Sequence, residues 1–556
     1  MGIADKGIYG NSLRGFFNSP PNFPTYNADG TYASSDISAD ITNPTGLLYY
    51  TNFNETKTNR YVGNIFTEVD IIKGLTFRTS FGIDVSDSDY RAFTPVYQLS
   101  TVSFNQLSTV TQTNTNNFSW TWDNTLQYKT SLGKHNIDIL AGLSAREHIR
   151  EFAGGTGKDL NFDDFEHAYL DNVLDRTQNL VTGSKLPYNI ASSFGRLLYD
   201  YDNKYIITAT IRRDGSSEFG PNNKYAVFPS FSGAWNVDRE GFFGTENKVL
   251  NALKLRGSWG QNGNDQFLRR FAYMSTISSL NQNYHFGTID ANPLAVGASP
   301  VYMSNANLKW ETSEQLNIGF DAVFFDNLNL TVDYYDKKTK DWLVQDVSPD
   351  YAGALAPWIN GGDVTNKGFE IGLGYNKSFG EDWRVSVNAN FSHNKNEVTR
   401  IATQDGIIYG ETNLLFQGID EINRVSEGQP IGYFYGLKTD GIFQNQAEID
   451  AHAQNGNLIQ PGAVPGDVRF VDLNGDGVIN ADDKTKIGDP NPDYYYGFNF
   501  QLNYKAFDLS VYTYGAGGNQ IAYGVRDNSR PFNNYTTDVF KRWTGEGTSN
   551  TTPRVT

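Results

Sequence analysis

From Leu316 to Tyr334 the chain alternates, residue by residue, between apolar and polar side chains. Leu316, Ile318, Phe320, Ala322 and Phe324 fall on one side and Asn317, Gly319 and Asp321 on the other. After a turn at Asp326-Asn327, Leu328, Leu330, Val332 and Tyr334 stand opposite Asn329, Thr331 and Asp333. Successive side chains of a strand point to opposite faces, so this hairpin has one apolar and one polar face. The period returns around Phe369, Ile371, Leu373 and Tyr375; Val385, Val387, Ala389 and Phe391; Phe498, Phe500, Leu502 and Tyr504; and Tyr205, Ile207, Ala209 and Ile211. Soluble strands usually run about 5 to 6 residues, whereas a tilted strand crossing a bilayer needs about 9 to 11. These segments are long enough to span, and the fold class expected is all-β, a transmembrane antiparallel β-barrel.

Composition agrees. The 556 residues include 54 Gly, 33 Tyr and 37 Phe with 19% charged residues, a supply of strand aromatics and turn formers. Mean hydropathy is -0.49 and no apolar run approaches the ~18 residues of a helical span, which excludes helical crossings. A barrel with a polar lumen averages to such a value, because only alternate residues face lipid. The absence of cysteine excludes disulfides and thiolate chemistry. A net charge of -17 argues against nucleic acid as a partner.

Connection lengths predict the topology. Short turns fall at Lys73-Gly74, Ser131 to Lys134, Asp202-Asn203, Asp326-Asn327, Phe379 to Asp382 and around Ala506, with a longer one from Arg239 to Asn251. Between them lie polar segments, chiefly Ser86 to Thr113, Arg150 to Pro187, Asn262 to Lys309, Lys337 to Thr365 and Asn396 to Asp493. Strict alternation of short and long is what a barrel with periplasmic turns and extracellular loops requires. About fourteen strands are expected. Neither Met1 to Asp5 nor Thr551 to Thr556 reads as the natural end of an exported barrel, so the chain is expected to be part of a longer one.

Specific motifs sharpen the class. They are RRDGSSEFGPNNKYAVFPSFSGAW (Arg212 to Trp235), LKLRGSWGQNGND (Leu253 to Asp265), NANLKWETSEQLNIGFD (ending at Asp321), DYYDKKTKDWLV (Asp333 to Val344) and GDVRFVDLNGDGVINADDKTKIGDPNPDYYYGFNF (Gly466 to Phe500). In this order they resemble the barrel of SusC/RagA-type TonB-dependent outer-membrane transporters, over essentially the whole chain. The resemblance implies residues 1–556 as part of a barrel of about 22 strands, and residues 396–493 as a long extracellular loop. It further implies a plug and TonB box elsewhere, TonB as energy coupler, a SusD-like surface lipoprotein as lid, the Gram-negative outer membrane as location and lipid as surroundings. Oligosaccharides or peptides are the implied substrates, and no enzyme activity is implied.

The most specific local chemistry is DLNGDGVINADD. Asp472, Asn474 and Asp476 occupy positions 1, 3 and 5 of a calcium loop, Gly477 position 6, Val478 the carbonyl position 7, Asn480 position 9 and Asp483 position 12. Alternating oxygen donors converge on one ion while the glycine permits the turn. Asp at position 12 in place of Glu makes the loop closer to dockerin-like sites than to an EF-hand. A structural Ca²⁺ is favoured over an acidic turn without metal.

Trp310, Trp342, Trp358, Tyr409, Tyr433, Tyr435 and Tyr494 to Tyr496 offer stacking faces to sugars. For Trp310, Trp342 and Tyr494 to Tyr496, beside strand ends, the rim girdle of a membrane barrel is the better reading. Tyr409, Tyr433 and Tyr435 lie within the longest loop and are the substrate-contact candidates. Catalytic constellations do not assemble. His135, His148, His167, His285, His393 and His452 lack metal-ligand spacing. GGTGKD (Gly154 to Asp159) is similar to a phosphate loop without its first glycine and final hydroxyl, and reads as a loop tip. GAGGN (Gly515 to Asn519) fails the dinucleotide pattern, and Asp163-Asp164 reads as a solvated loop face.

Transport is therefore the expected function. A siderophore or vitamin transporter shares the barrel physics but not the motif series. A secreted, calcium-loop-bearing carbohydrase would need a soluble fold with a carboxylate pair, against which the long two-faced strands argue.

Overall fold

A computed structural model describes residues 15–35, 41–243, 249–266, 270–279, 284, 295–346, 353–415, 418–524 and 534–555. Its body is one antiparallel sheet of fourteen strands in sequence order. These are β1 (Phe53–Ile72), β2 (Leu75–Thr94), β3 (Thr109–Leu132), β4 (His135–Lys158), β5 (Leu180–Tyr201), β6 (Tyr205–Ser216) and β7 (Tyr225–Asn236). There follow β8 (Leu250–Asn264), β9 (Glu311–Phe324), β10 (Leu328–Gln345), β11 (Trp358–Phe379), β12 (Trp383–Ile401), β13 (Tyr494–Tyr504) and β14 (Phe507–Gly517). Each strand pairs with its neighbours in sequence, as an up-and-down meander must, and β1 and β14 form the two edges. Among the described residues no helix is long and apolar enough to cross a membrane.

Register carries the two-faced pattern across strands. Phe320 pairs with Val332, Val332 with Ile371, Ile371 with Phe391 and Phe391 with Tyr496, one apolar row across five strands. One residue along, Gly319, Asp333, Glu370, Ser392 and Tyr495 form a row on the other face. A one-residue slip anywhere would carry a polar row onto the apolar face, so the alternation itself fixes the register. Large side chains on the apolar face, such as Ile318 and Phe231, are more than half exposed, as a surface made for a non-aqueous neighbour requires.

All the tight turns lie at one end of the sheet. Asp202 and Asn203 both take positive φ, as do Phe325 and Asp326, within three-residue turns closed by the pairs Tyr201–Tyr205 and Phe324–Leu328. The second turn holds Asp326 and Asn327 as expected, together with Phe325. At the other end the long connections are shorter than expected, because the strands continue into the polar segments: the connections are 95–108, 159–179, 217–224, 265–310, 346–357 and 402–493. Asp87 still pairs with Asn116 and Asp89 with Asn114. There the apolar–polar alternation disappears although the ladder persists as far as the buried pair Phe93 and Val110. GGTGKD is likewise strand as far as Lys158, not a loop tip.

Apolar packing collects at this outer end. Trp310 is buried with Phe219, Phe228, Leu308 and Leu343, and its indole N–H donates to the Lys224 carbonyl at 3.2 Å. Trp342 packs against Val364, Val398 and Ile401. Trp310 is thus buried in the outer core rather than standing in a rim girdle, whereas Trp342, on β10, is partly buried against strand residues of β11 and β12. Trp358 also packs against the Trp310 cluster.

Candidate functional site

Connection 402–493 folds on itself. Ile407–Tyr409, Asn423–Ser426, Tyr433–Leu437 and Lys484–Gly488 form a four-stranded sheet, and Thr439–Ile442 pairs with Val468–Phe470. Residues 543–554 dock on it: Asn550 accepts the Ile442 N–H at 3.0 Å and Arg554 pairs with Asp467 at 2.7 Å.

The three tyrosine candidates separate here. Tyr433 is buried, with its hydroxyl 3.0 Å from that of Ser426. Tyr435 has a face covered by the Arg424 guanidinium, 3.6 Å from the ring centroid. Arg424 also lies 5.0 Å from the Tyr409 ring and donates to Glu421. That contact holds the Glu421 carboxyl below the usual carboxylate range. Tyr409 is 49% exposed, and its hydroxyl donates to Asp405 at 2.8 Å. Of the three, Tyr409 is the one with a ring open to a ligand.

The calcium-loop residues form a closed turn. Both oxygens of Asp472 accept backbone N–H groups, from Gly475 and Gly477, each at 2.8 Å. Gly477 has a φ of 88, the left-handed conformation expected at position 6. Asp483 is fully buried and takes the N–H groups of Leu473 and Asn480 at 2.8 Å, which lowers its pKa. Asn480 caps the short helical turn that carries Asp483. Asn474 and Asn480 both turn their amide nitrogens to Asp476, at 3.0 and 3.4 Å. Positions 3, 5 and 9 therefore converge, with amide N–H donors standing where a cation would sit. Val478 presents an exposed side chain at position 7. Among the described residues no three acidic or histidine side chains are gathered closely enough to hold an ion, so any metal would have to draw the carboxylates in and flip both amides.

The histidines stay scattered in local roles. His148 meets Ser119 at 2.7 Å, His167 pairs with Asp164, and His285 lies outside the described residues.

The polar face of the sheet carries a cluster that spacing along the chain does not reveal. Arg256 on β8 donates to both oxygens of Asp321 on β9, at 2.8 and 3.0 Å, and to both of Asp333 on β10, at 2.7 and 2.9 Å. Beside it lies a recess of about 710 Å³ whose wall includes Asp333, Tyr335, Lys337, Asn366, Glu370 and Tyr495. Tyr495 thus belongs to the polar face, while Tyr494 stacks toward Phe391 on the apolar one. The polar half of each alternating segment is the signal that holds these residues, and only the register brings them together.

Comparison with known proteins gives the class. Residues 4–426 match the family described as TonB dependent receptor-like, beta-barrel, and the chain belongs to that family. It is 33% identical over 550 residues to TonB-dependent receptor P3 of Formosa agariphila, covering 98% of this chain and 53% of that protein. It is 27% identical over 510 residues to TonB-dependent receptor SusC of Bacteroides thetaiotaomicron, covering 90% of this chain and 47% of that one. The chain thus spans about half the length of these curated relatives. The RagAB peptide transporter shares its fold, with a TM-score of 0.77 at 21% identity over 96% of this chain and 56% of the other. The SusC/RagA resemblance carried by the motifs is borne out. The apolar face is then the lipid face of a barrel and the polar face its lumen.

Proposed function

We propose that the whole protein is an outer-membrane, TonB-dependent importer of oligosaccharides or peptides, working with a SusD-like lipoprotein lid. Its family is one of transporters rather than enzymes. The observation that carries the reading is the single fourteen-stranded sheet with lipid-type and lumen-type faces and all long connections at one end. Similarity to SusC and the fold of the RagAB peptide transporter support the substrate range and the lid. The test is uptake of labelled oligosaccharides and peptides by cells with and without the gene. Gene-dependent uptake that stops when the proton gradient is collapsed is expected. Uptake indifferent to the gradient would overturn the reading.

Calcium is proposed as a structural ligand of connection 402–493, held by Asp472, Asn474, Asp476, Asn480 and Asp483 with the Val478 carbonyl. The convergence of positions 3, 5 and 9 and the left-handed Gly477 support it. The ion would stiffen the loop and carry no step of transport.

A further inference from the structure

The outward face of β10, β11 and β12 changes character just beyond its apolar rows. Tyr334, Phe369 and His393 stand in register across the three strands, and the rings of Tyr334 and Phe369 are exposed on the lipid side. Two residues further toward the long connections, on the same face, the row reads Asp336, Lys367 and Lys395; two further again it reads Lys338, Thr365 and Glu397. Two residues of strand cover about 7 Å, so these lysines stand at the outer margin of the surface made for lipid. At the turn end of the same strands the outward face carries one lysine, Lys377, among Tyr375, Phe379 and Trp383.

The lysines are placed where they repel one another. Lys367 and Lys395 are direct register partners, and opposite β-carbons in such a pair lie about 4.5–5.5 Å apart. Lys338 lies on the diagonal of Lys367, about 7–8 Å away, and among the described residues it forms no ion pair. The neighbouring carboxylates hold the other two loosely. Asp336 stands 3.4 Å from Lys367, longer than a charge-assisted hydrogen bond. Glu397 meets Lys395 at 3.0 Å, but that lysine side chain is 74% exposed, where a pair contributes little. Three ammonium groups against two carboxylates leave a positive patch on a chain whose net charge is -17. Nothing that fills the lumen reaches it, because successive side chains point to opposite faces and the sheet stands between.

We propose that Lys338, Lys367 and Lys395 bind the phosphate-bearing headgroup of an outer-leaflet lipid, whose acyl chains lie along Ile318, Tyr334, Phe369 and Phe391. A phosphate between the lysines replaces their repulsion with attraction, and long lysine side chains reach from an apolar face to headgroup level. This rests on the outer-membrane reading and adds a lipid site to the outside of the wall.

The test uses the full-length protein purified in mild detergent. It is offered diphosphoryl lipid A, the same lipid stripped of both phosphates, or inorganic phosphate, and bound molecules are counted by native mass spectrometry. The unaltered protein should retain the phosphorylated lipid about tenfold or more over the stripped one. The triple variant Lys338→Gln, Lys367→Gln, Lys395→Gln should lose that preference, the triple arginine variant should keep it, and Lys377→Gln should leave it unchanged. Heat-modifiable migration checks the fold of each. Should the triple glutamine variant fail that check, Lys338→Gln alone, at an exposed position without an ion pair, should still lower the preference about fivefold. Equal retention of the two lipids, an undiminished preference in the glutamine variants, or displacement of the lipid by an equal concentration of inorganic phosphate would overturn the lipid site. Such a result in a protein that still migrates heat-modifiably overturns this site alone; a full-length protein without that migration overturns the outer-membrane reading beneath it.

Discussion

Arg256 grips Asp333 from two strands away, at 2.7 Å, by passing over Gly319, the residue that stands between them in the register. A β-carbon at Gly319 would sit 2.3 Å from the Asp333 carboxylate and 2.6 Å from the Val332 carbonyl. Gly319 is therefore a spatial requirement of the ion cluster, at a position where φ imposes none. Gly319→Ala should destabilise the folded full-length barrel by about 1–3 kcal/mol, the usual range for overpacking. Urea unfolding in lipid vesicles measures it. Gly374, whose added β-carbon would meet nothing closer than 3.5 Å, is the control, and its alanine variant should be far less affected.

The alternation from Leu316 to Tyr334 made the strands, their faces and the count of fourteen legible, because lipid and water impose opposite demands on successive residues. It gave out where those demands ceased. Beyond Asp87 on β2 the strand continues to Thr94 without a period to mark it, and Phe93 near its end is buried against Val110, Leu160 and Ala168 of the outer segments rather than facing lipid. Trp310 departs from the girdle expectation for a related reason: a tryptophan at a strand end looks the same whether lipid or a folded loop covers it. The Arg256 cluster and the Lys337 to Glu370 recess depend on residues far apart in sequence that only the register juxtaposes. The calcium-loop spacing was legible and its turn forms, whereas the backbone clamp made by Asp483 depends on burial that spacing does not encode.

Exposure separates the loop tyrosines into different roles. Tyr433→Ala removes a buried ring and should cost the loop about 3 kcal/mol, whereas Tyr409→Ala should change stability by no more than about 0.5 kcal/mol. If Tyr409 contacts substrate, its variant should transport less at unchanged stability. Proteolysis of connection 402–493, run beside uptake, distinguishes the two effects. Equal destabilisation by both would contradict the assignment.

The Glu421 to Arg424 contact makes this sheet sensitive to acid. Arg424 holds the Glu421 pKa below its ordinary value, so the contact's contribution is complete above the unfolded carboxylate range and is lost as pH falls through the lower, folded one. Freed from Glu421, Arg424 should move off the Tyr435 ring. Hydrogen exchange at Asn423–Ser426 should therefore accelerate in that acid window, and Glu421→Gln should show the faster exchange already at neutral pH. An unaltered rate in the variant would show that the pair does not order the sheet.

All the long connections leave one end of the sheet, which is the end a surface lid must meet. The tagged full-length protein should therefore co-purify from its native membrane, in mild detergent, with a SusD-like lipoprotein, through segments 262–309 and 396–493. Replacing the described outer part of the second segment with a short turn should release the lipoprotein while the barrel remains heat-modifiable. Recovery of the transporter alone, with full uptake after loss of the lipoprotein gene, would count against the partnership.

The calcium loop admits a test at single residues. Asn474 and Asn480 now give amide hydrogens to Asp476, so calcium must turn two oxygens inward and draw Asp472 toward the same point. Coordination at about 2.3–2.6 Å by six or more oxygens suits Ca²⁺, whereas Mg²⁺, which demands a smaller and stricter octahedron, should bind poorly. Asp472→Ala together with Asp476→Ala removes two carboxylates without touching Asp483, which ties Leu473 to Asn480. The double variant should lose calorimetric calcium binding and the protection from protease that calcium gives near Asp472, while strand content stays the same. Asp483→Ala should open the turn even in chelator, because its contacts to Leu473 and Asn480, like those of Asp472 to Gly475 and Gly477, do not depend on the ion. Calcium binding that survives the double substitution, or protease cleavage that ignores calcium, would remove the ion from this loop.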